Sequence, residues 1–185
     1  LDQIAAWWFK KLDTINIPHH LIAVPAPNIS LVRNVTPLPV EIIVRGYLTG
    51  STKTSSWYAY QNLDRIICGL EMPAGMKKDE KFPEYLVTPT TKSAEGHDEP
   101  ISREEIVKRG LVSADVWAKA EEYALKMFEF GQKEAAKHGM ILVDTKYEMG
   151  LTDDGELLVI DEVHTPDSSR YWIAETYEDR MSKGL

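Results

Sequence analysis

The stretch that decides the fold is Leu-Val-Asp-Thr-Lys-Tyr-Glu-Met-Gly at residues 142–150, followed by Thr-Asp-Asp-Gly at 152–155 and Glu-Leu-Leu-Val-Ile-Asp at 156–161. Apolar runs flank an Asp-Gly pair, which is the strongest short-range signal for a β-hairpin. We therefore predict two antiparallel strands, at 140–149 and 156–163. Because side chains alternate along a strand, Asp144, Lys146 and Glu148 share one face.

The length of the turn decides what lies opposite these residues. A two-residue turn places Glu148 opposite Asp161, and a four-residue loop places Lys146 there. Both registers put Asp161 on the face of Asp144, whereas a three-residue loop does not. Facing carboxylates repel unless a cation lies between them, and Mg²⁺ prefers one or two carboxylates plus nucleotide phosphates. A solvated hairpin whose charges face water explains the pattern equally well.

The composition is that of an ordinary globular protein, with 43% apolar and 27% charged residues in 185. The single Cys68 cannot form an internal disulfide, and no apolar run is long enough to cross a bilayer, so we expect a cytosolic protein with no membrane partner. A net charge of −8, from 21 basic and 29 acidic residues, argues against a nucleic-acid partner. A small anionic substrate stays compatible with a few convergent basic residues. No pattern indicates an oligomeric state.

Helices and further strands are predicted around the hairpin. Residues 1–12 form a helix whose apolar stripe is expected in the core: Ile4, Trp7, Trp8 and Leu12. Strand-forming runs follow at 21–24, 29–35 and 40–47. A capping box at 102–105 begins a short helix, and Ser113 caps a longer one that ends before Gly139. Residues 49–56 are expected as a polar loop, and 69–100 as a long irregular stretch.

A second chemistry-bearing segment follows the hairpin. Residues 164–172, His-Thr-Pro-Asp-Ser-Ser-Arg-Tyr-Trp, combine a turn, hydroxyls and Arg170. Arginine and serine together often bind a phosphate monoester, although a capped helix start with a surface arginine fits the segment as well. Zinc is not indicated, because the five histidines and Cys68 lack ligand spacing.

Four segments, in order along the chain, resemble the phosphoribosylaminoimidazole-succinocarboxamide synthase (SAICAR synthetase) family. The first is Pro-Val-Glu-Ile-Ile-Val-Arg at 39–45 with Thr-Gly-Ser at 49–51, and the second is Thr-Pro-Thr-Thr-Lys at 88–92 with Gly-His-Asp-Glu at 96–99. The third is 142–150, with Met149 where phenylalanine is common, and the fourth is Asp-Glu at 161–162 with 165–172. The resemblance spans about residues 21–180.

The resemblance implies an α+β fold with an ATP-grasp-like, two-lobed architecture of antiparallel sheets and packed helices. Residues 1–35 are expected to be the remnant of an N-terminal nucleotide-binding lobe and its hinge, and 36–185 the catalytic domain. The family's glycine-rich strand-turn-strand with its lysine has no match here, so the N-terminal lobe is expected to be incomplete. The usual C-terminal helical tail is expected to be missing as well.

The implied reaction is the ATP- and Mg²⁺-dependent joining of L-aspartate to carboxyaminoimidazole ribotide through an acyl phosphate. It gives SAICAR, ADP and phosphate, a step of purine biosynthesis. Carried onto this sequence, Glu148 and Asp161 bind Mg²⁺ and the ATP phosphates, and Asp144, Lys146 and Asp161 are catalytic. The residues expected to hold the ribotide or aspartate are Glu41, Arg45, Ser51, Lys92, Asp98 and Arg170. Backbone groups of Leu31, Val32 and Arg33 are expected to contact adenine.

Two alternatives stay open. Inositol-phosphate kinases also use an Asp-x-Lys strand, so Asp144 and Lys146 alone do not separate a ligase from a small-molecule kinase. The second alternative is a non-catalytic fragment or paralogue that binds ligand without turnover.

Overall fold

The computed structural model describes residues 1–92 and 98–183, which form short and long helices around an antiparallel sheet. In chain order the elements are α1 (Asp2–Leu12), a 3-10 turn (Asp13–Ile15), β1 (Leu21–Ala26), β2 (Ile29–Val32), β3 (Thr36–Pro37), β4 (Val40–Tyr47), α2 (Ser56–Asn62), β5 (Ile66–Ile67), β6 (Leu70–Glu71), β7 (Lys81–Val87), β8 (Thr90–Thr91), α3 (Arg103–Lys108), α4 (Ala114–Ala136), β9 (Met140–Leu151), β10 (Leu157–Ile160), β11 (Ser169–Ile173) and α5 (Ala174–Lys183).

A seven-stranded sheet organises the molecule around β9. The main path runs β10-β9-β4-β7, while β11 and β3 also pair with β9 and β8 pairs with β4. All of these pairings are antiparallel, and β1–β2 and β5–β6 form separate two-stranded sheets. The predicted α+β class is therefore confirmed. In the described ranges no helix is both long and apolar enough to cross a membrane.

One face of the β4–β9 pair is the core of the protein. Val40, Ile42 and Val44 of β4 are buried at 1% exposure or less, because every second residue of the strand points to the same side. They join a cluster with the apolar face of α4 and with Trp8 and Leu12 of α1. The opposite face of the two strands carries the polar residues, so a single pair of strands supplies both the core and the candidate site.

The hairpin turn has three residues, and both predicted registers are wrong. The strands pair Leu157 with Leu151 and Ile160 with Glu148, and the Thr152 N–H donates to the Glu156 carbonyl at 3.0 Å. Gly155 closes the loop with a φ of +83°, a conformation that glycine adopts at little cost. This is the common type of hairpin in which a glycine in the left-handed region follows a turn.

The helix predictions are confirmed with one correction in α1. Trp8 and Leu12 are buried as expected, but Ile4 and Trp7 are 42% and 45% exposed. The buried side of α1 instead includes Ala6 and Phe9, at 7% and 2% exposure, so the stripe that reaches the core is displaced around the helix from the predicted one. The short and long helices begin after Ser102 and Ser113, as predicted.

The segment at 69–100 is less irregular than predicted, since it contains β6, β7 and β8. In β7 only Phe82 and Val87 are buried, and the strand includes a proline, so its pattern lacks a clear period of two. The predicted loop at 49–56 reaches only to Ser55, whose side chain caps α2 by accepting from the Tyr58 N–H. The segment at 164–172 likewise contains most of β11.

Candidate active site

The polar face of the β4–β9 pair collects the predicted site residues. Ile43 pairs with Lys146 and Arg45 with Asp144 across the two strands. The side chains that alternate with the core residues therefore project together from the opposite face, as the period of two requires. The residues of this face are Glu41, Arg45, Asp144, Lys146 and Glu148, of which all but Lys146 are buried to at least 91%.

A row of alternating charges crosses this face. The Lys146 ammonium lies 3.0 Å from Glu41 Oε1 and 3.1 Å from Glu148 Oε1. The other carboxylate oxygen of Glu148, Oε2, accepts from the Lys92 ammonium. Burial opposes the charge on Lys146, but its hydrogen bonds to the two glutamates outweigh burial and raise its pKa. Burial likewise opposes the charge on Glu148, and the two lysines outweigh it and lower its pKa. Lys146 and Glu148 are therefore both charged at neutral pH.

Asp161 reaches the same face although the three-residue turn was expected to prevent it. The residue follows β10 with a φ of +63°, so the alternation of the strand ends there and the side chain turns towards Glu148. Asp161 is an exposed residue overall, but partial desolvation of its carboxyl group raises its pKa. The negative charge of Glu148 raises this pKa further. Two acidic groups thus lie side by side, which is the repulsive arrangement that a cation relieves.

The donor set fits a magnesium ion that also binds a nucleotide. Within residues 1–92 and 98–183, no three His, Cys, Asp or Glu side chains converge on one point. A set of three or more converging side chains suits an ion that is held entirely by protein. Mg²⁺ instead usually keeps water and phosphate oxygens as ligands and takes one or two carboxylates. Glu148 and Asp161 supply that smaller number.

Two arginines surround Asp144 at the other end of this face. Arg170 Nε lies 2.8 Å from Asp144 Oδ1, and a second nitrogen of the same guanidinium contacts Oδ2. Arg45 Nη1 lies 3.9 Å from Asp144 Oδ2. The Nε of the same arginine donates to the Thr88 hydroxyl at 2.8 Å. Burial, which is offset by Asp144 and reinforced by Arg170, lowers the pKa of Arg45. Two cations share one anion here, so the cluster can accept a further anion.

Thr88 and Thr90 belong to the site but were not predicted as site residues. Thr88 is 1% exposed and accepts from Arg45, and the Thr90 hydroxyl lies 3.5 Å from Glu41 Oε2. Lys92 is the next alternate residue after Thr90, and its side chain lies on the same side of the chain. A period of two over residues 88–92 was visible in the sequence, and it would have placed all three side chains on one side.

The remaining predicted residues lie around this face. Ser51 is exposed in the turn after β4, next to Gly50, where an added Cβ would lie 3.2 Å from Arg170 Nη1. The turn is tied to the site because Arg45 Nη2 donates to the Thr54 carbonyl at 3.1 Å. Asp98 is exposed, beside Glu99, whose carbonyl accepts from the Thr91 N–H. Residues 93–97, which include part of the 96–99 segment, lie outside the described residues.

Of the three expected adenine-contacting residues, Val32 shares a cavity with Asp161, one member of the acidic pair. This cavity of about 350 Å³ is bounded by α1, by β1–β2 and by the segment after β10, and its lining includes both Val32 and Asp161. Leu31 is 52% exposed on β2. Arg33 directs its backbone N–H to the His20 carbonyl at 2.7 Å and its side chain to Glu156 at 2.6 Å.

Comparison with known sequences identifies one family. The sequence profile of the SAICAR synthetase family matches residues 1–185. The chain is 45% identical over 185 residues to the chloroplastic phosphoribosylaminoimidazole-succinocarboxamide synthase of Vigna aconitifolia, covering all of this chain and 54% of the relative. It is 46% identical over 184 residues to the enzyme of that name from Legionella pneumophila strain Paris, of which it covers 58%. The chain thus spans about half the length of the curated relatives it matches.

Solved structures resemble this fold closely. The SAICAR synthase of Saccharomyces cerevisiae, solved with SAICAR, superposes with a TM-score of 0.80 at 32% identity, over 95% of this chain and 62% of the other. A type-2 SAICAR synthetase in complex with ADP gives a TM-score of 0.78 at 30% identity, over 98% and 71%. These likenesses confirm the expected ATP-grasp-like α+β fold. Since the family profile matches from the first residue to the last, the chain belongs to the SAICAR synthetase family.

Proposed function

We propose that the protein to which this chain belongs joins L-aspartate to carboxyaminoimidazole ribotide at the expense of ATP, in de novo purine biosynthesis. The observation that carries the proposal is the shared sheet face, where an acidic pair lies beside a two-arginine cluster. Relatives that carry the name of this enzyme, one solved with SAICAR and one with ADP, support it.

The reaction divides into two transfers. A carboxylate oxygen of the ribotide attacks the γ-phosphorus of ATP, and the bond to the bridging oxygen breaks, so that ADP leaves and an acyl phosphate forms. The aspartate amine then attacks the acyl carbon, the carbon–oxygen bond to phosphate breaks, and the amine loses a proton as the amide forms. Activation is needed because a carboxylate is a poor acyl donor.

The acidic pair is proposed to bind the nucleotide through magnesium. Glu148 and Asp161 would hold the ion, because they are adjacent and their repulsion falls when a dication lies between them. When bound, Mg²⁺ neutralises charge on the phosphate oxygens. The cavity that Asp161 shares with Val32 supports placing the nucleotide on the side of β2. Backbone groups of Leu31, Val32 and Arg33 are therefore proposed to contact the adenine.

Lys146 is proposed to stabilise the transferring phosphoryl group. Its pKa is raised by two glutamates, so it stays protonated at neutral pH. Glu41 and Glu148 fix the ammonium between them at 3.0 and 3.1 Å, and a pre-oriented cation stabilises developing negative charge without having to reorganise. Glu41 therefore orders the site rather than reacting.

The arginine cluster is proposed to bind the 5′-phosphate of the ribotide. Arg45 and Arg170 converge on Asp144, and Asp144 holds the guanidiniums in place before substrate arrives. Arginine binds phosphate through paired N–H groups, which suits a dianion better than a single point charge does. Ser51, on the adjoining turn, is proposed as a further donor. Lys92 and Asp98 are proposed to serve the ribotide carboxylate or aspartate.

The division at residue 35 and the cytosolic location stay proposals. The division separates the β1–β2 sheet from the site-bearing sheet, while Trp8, Phe9 and Leu12 of α1 pack into the same core as β4. The kinase alternative is less well supported, because the family match is to SAICAR synthetase.

The test is ADP release by the purified protein with Mg²⁺ and ATP, with ribotide and aspartate added separately and then together. Release that requires both substrates, together with a succinocarboxamide product, is the expected result. Release that needs ribotide but is indifferent to aspartate would instead support a kinase. Ligand binding without any release would support the non-catalytic alternative.

A further inference from the structure

Both oxygens of the Glu148 carboxylate are occupied by ammonium groups. Lys146 contacts Oε1 at 3.1 Å, and Lys92 contacts Oε2. Glu148 is 9% exposed, so each cation replaces water that the carboxylate has lost. A divalent ion that binds Glu148 would meet two positive charges at hydrogen-bond distance, and like charges this close raise the free energy of binding. One ammonium group has to move away from the carboxylate.

The two lysines differ in how firmly they are held. Lys146 has a second carboxylate, that of Glu41, at 3.0 Å, and it lies in the middle of β9. The salt bridges within residues 1–92 and 98–183 give Lys92 no second carboxylate, and its side chain is 43% exposed compared with 33% for Lys146. Lys92 therefore loses less when it leaves Glu148.

The backbone of Lys92 is held by hydrogen bonds, whereas its long side chain can rotate about several bonds. The Lys92 N–H donates to the Pro39 carbonyl at 3.0 Å, and Thr91 pairs with Val40 of β4. A flexible four-carbon stem on this anchored position moves the ammonium by several ångströms without any change of fold. Thr88 and Thr90 precede Lys92 at alternate positions beside Arg45 and Glu41, so the displaced ammonium stays next to the proposed ribotide site.

We propose that Lys92 is an exchangeable counter-ion of Glu148, which a metal–nucleotide complex displaces and which then pairs with an anionic group of the ribotide. The inference rests on the proposed function, since it takes Glu148 as a metal ligand. It makes the two binding events interdependent: metal–nucleotide frees the cation that the ribotide uses, and the ribotide in turn holds that cation away from Glu148.

The test measures binding of Mn²⁺ in the presence of ADP, without turnover, by the electron paramagnetic resonance signal of free Mn²⁺. In Lys92→Met the competing charge is gone while an unbranched stem of similar length to that of lysine is kept. We expect Mn²⁺ to bind about fivefold more tightly than to the wild type, which corresponds to ~1 kcal/mol. Damage to the fold would weaken binding, so a gain is specific. Lys126→Met is the matched control, because Lys126 lies on α4 in a 3.8 Å pair with Glu122, and it should change nothing.

Ribotide binding to the protein saturated with Mn²⁺ and ADP, measured by calorimetry, should be about fivefold weaker in Lys92→Met. Equal Mn²⁺ affinity in Lys92→Met and wild type, with weaker affinity in Glu148→Gln, would overturn the counter-ion role and leave the metal assignment intact. If Glu148→Gln binds Mn²⁺ as tightly as the wild type does, the metal assignment of the proposed function fails, and the counter-ion role fails with it.

Discussion

At the scale of single residues, Asp161 shows how one backbone angle completes the site. In the three-residue register its side chain would have continued the alternation of β10 away from Glu148. The φ of +63° ends that alternation, and the carboxyl group comes to face its acidic partner. Non-glycine residues rarely adopt this region, and aspartate and asparagine do so more readily than most. The left-handed backbone conformation therefore costs an aspartate less free energy than it costs most other residue types.

Replacing Asp161 by asparagine should separate catalysis from stability. The change removes a carboxylate from the acidic pair, and we expect turnover to fall by roughly 10²-fold or more, as when other pre-oriented charge-stabilising groups are lost. The free energy of unfolding should be unchanged or slightly higher, because asparagine tolerates the left-handed backbone and repulsion with Glu148 disappears. Steady-state turnover and urea unfolding measure the two effects. Normal turnover in a folded Asp161→Asn protein would refute the metal assignment, and Asp153→Asn in the exposed turn is the matched control.

Part of the site was predictable from the alternation of side chains along a strand. The alternation over 142–150 predicted that Asp144, Lys146 and Glu148 share a face, and the structure has them together. That Arg170 would bind Asp144 was not predictable, because the pairing of β11 with β9 depends on contacts between distant parts of the chain. The place of Asp161 was unpredictable for another reason, since hydrophobic periodicity carries no information on the sign of φ.

At the scale of elements, a single turn residue sets the register of the hairpin. A two-residue and a four-residue loop differ from the observed one by one residue each, and a shift of one residue turns every side chain of the strand over. The pattern of apolar residues on β10 does not choose between them, because Leu157 to Ile160 are all buried. Strands that are buried on both faces lose the alternation from which register is inferred.

The packing of α4 on the segment after β10 depends on Gly131. A Cβ added there would lie 2.8 Å from both ring nitrogens of His164, whose ring is 1% exposed and is held by Trp8 and by a hydrogen bond to Tyr147. Gly131→Ala should therefore lower the free energy of unfolding by about 1–3 kcal/mol, although alanine favours helix. Urea unfolding measures this loss. In a His164→Ala background the same substitution should cost nothing or stabilise, and an equal cost in both backgrounds would contradict the packing explanation.

At the scale of the whole molecule, His164 links stability to pH. Burial lowers its pKa to about 3, from 6.5, and its neighbours Trp8, Tyr147 and Tyr171 carry no charge at neutral pH. Below pH 6.5 the unfolded chain binds a proton that the folded protein excludes. The contribution of His164 is therefore complete above pH 6.5 and is lost as the pH falls towards 3.

Between pH 7.5 and pH 5 this loss amounts to about 2 kcal/mol of unfolding free energy. Urea unfolding at the two pH values, in wild type and in His164→Asn, isolates the effect, since asparagine tolerates the φ of +53° and does not titrate. His20, whose pKa is lowered to about 4 by burial and by His19, contributes in the same direction in both proteins. The difference between pH values should be about 2 kcal/mol smaller in the variant, and an identical difference would exclude His164 as its source.

The strand β9 is bonded along both of its edges. β11 and β10 cover one edge, and β4 and β3 cover the other, so the backbone that carries Asp144, Lys146 and Glu148 lies in the middle of the sheet. We expect the backbone amides of such a strand to exchange with solvent mainly through opening of the entire domain. The side chains that β9 carries thus keep their places for as long as the native state lasts, and we expect that a denaturant does not displace them gradually by fraying this strand.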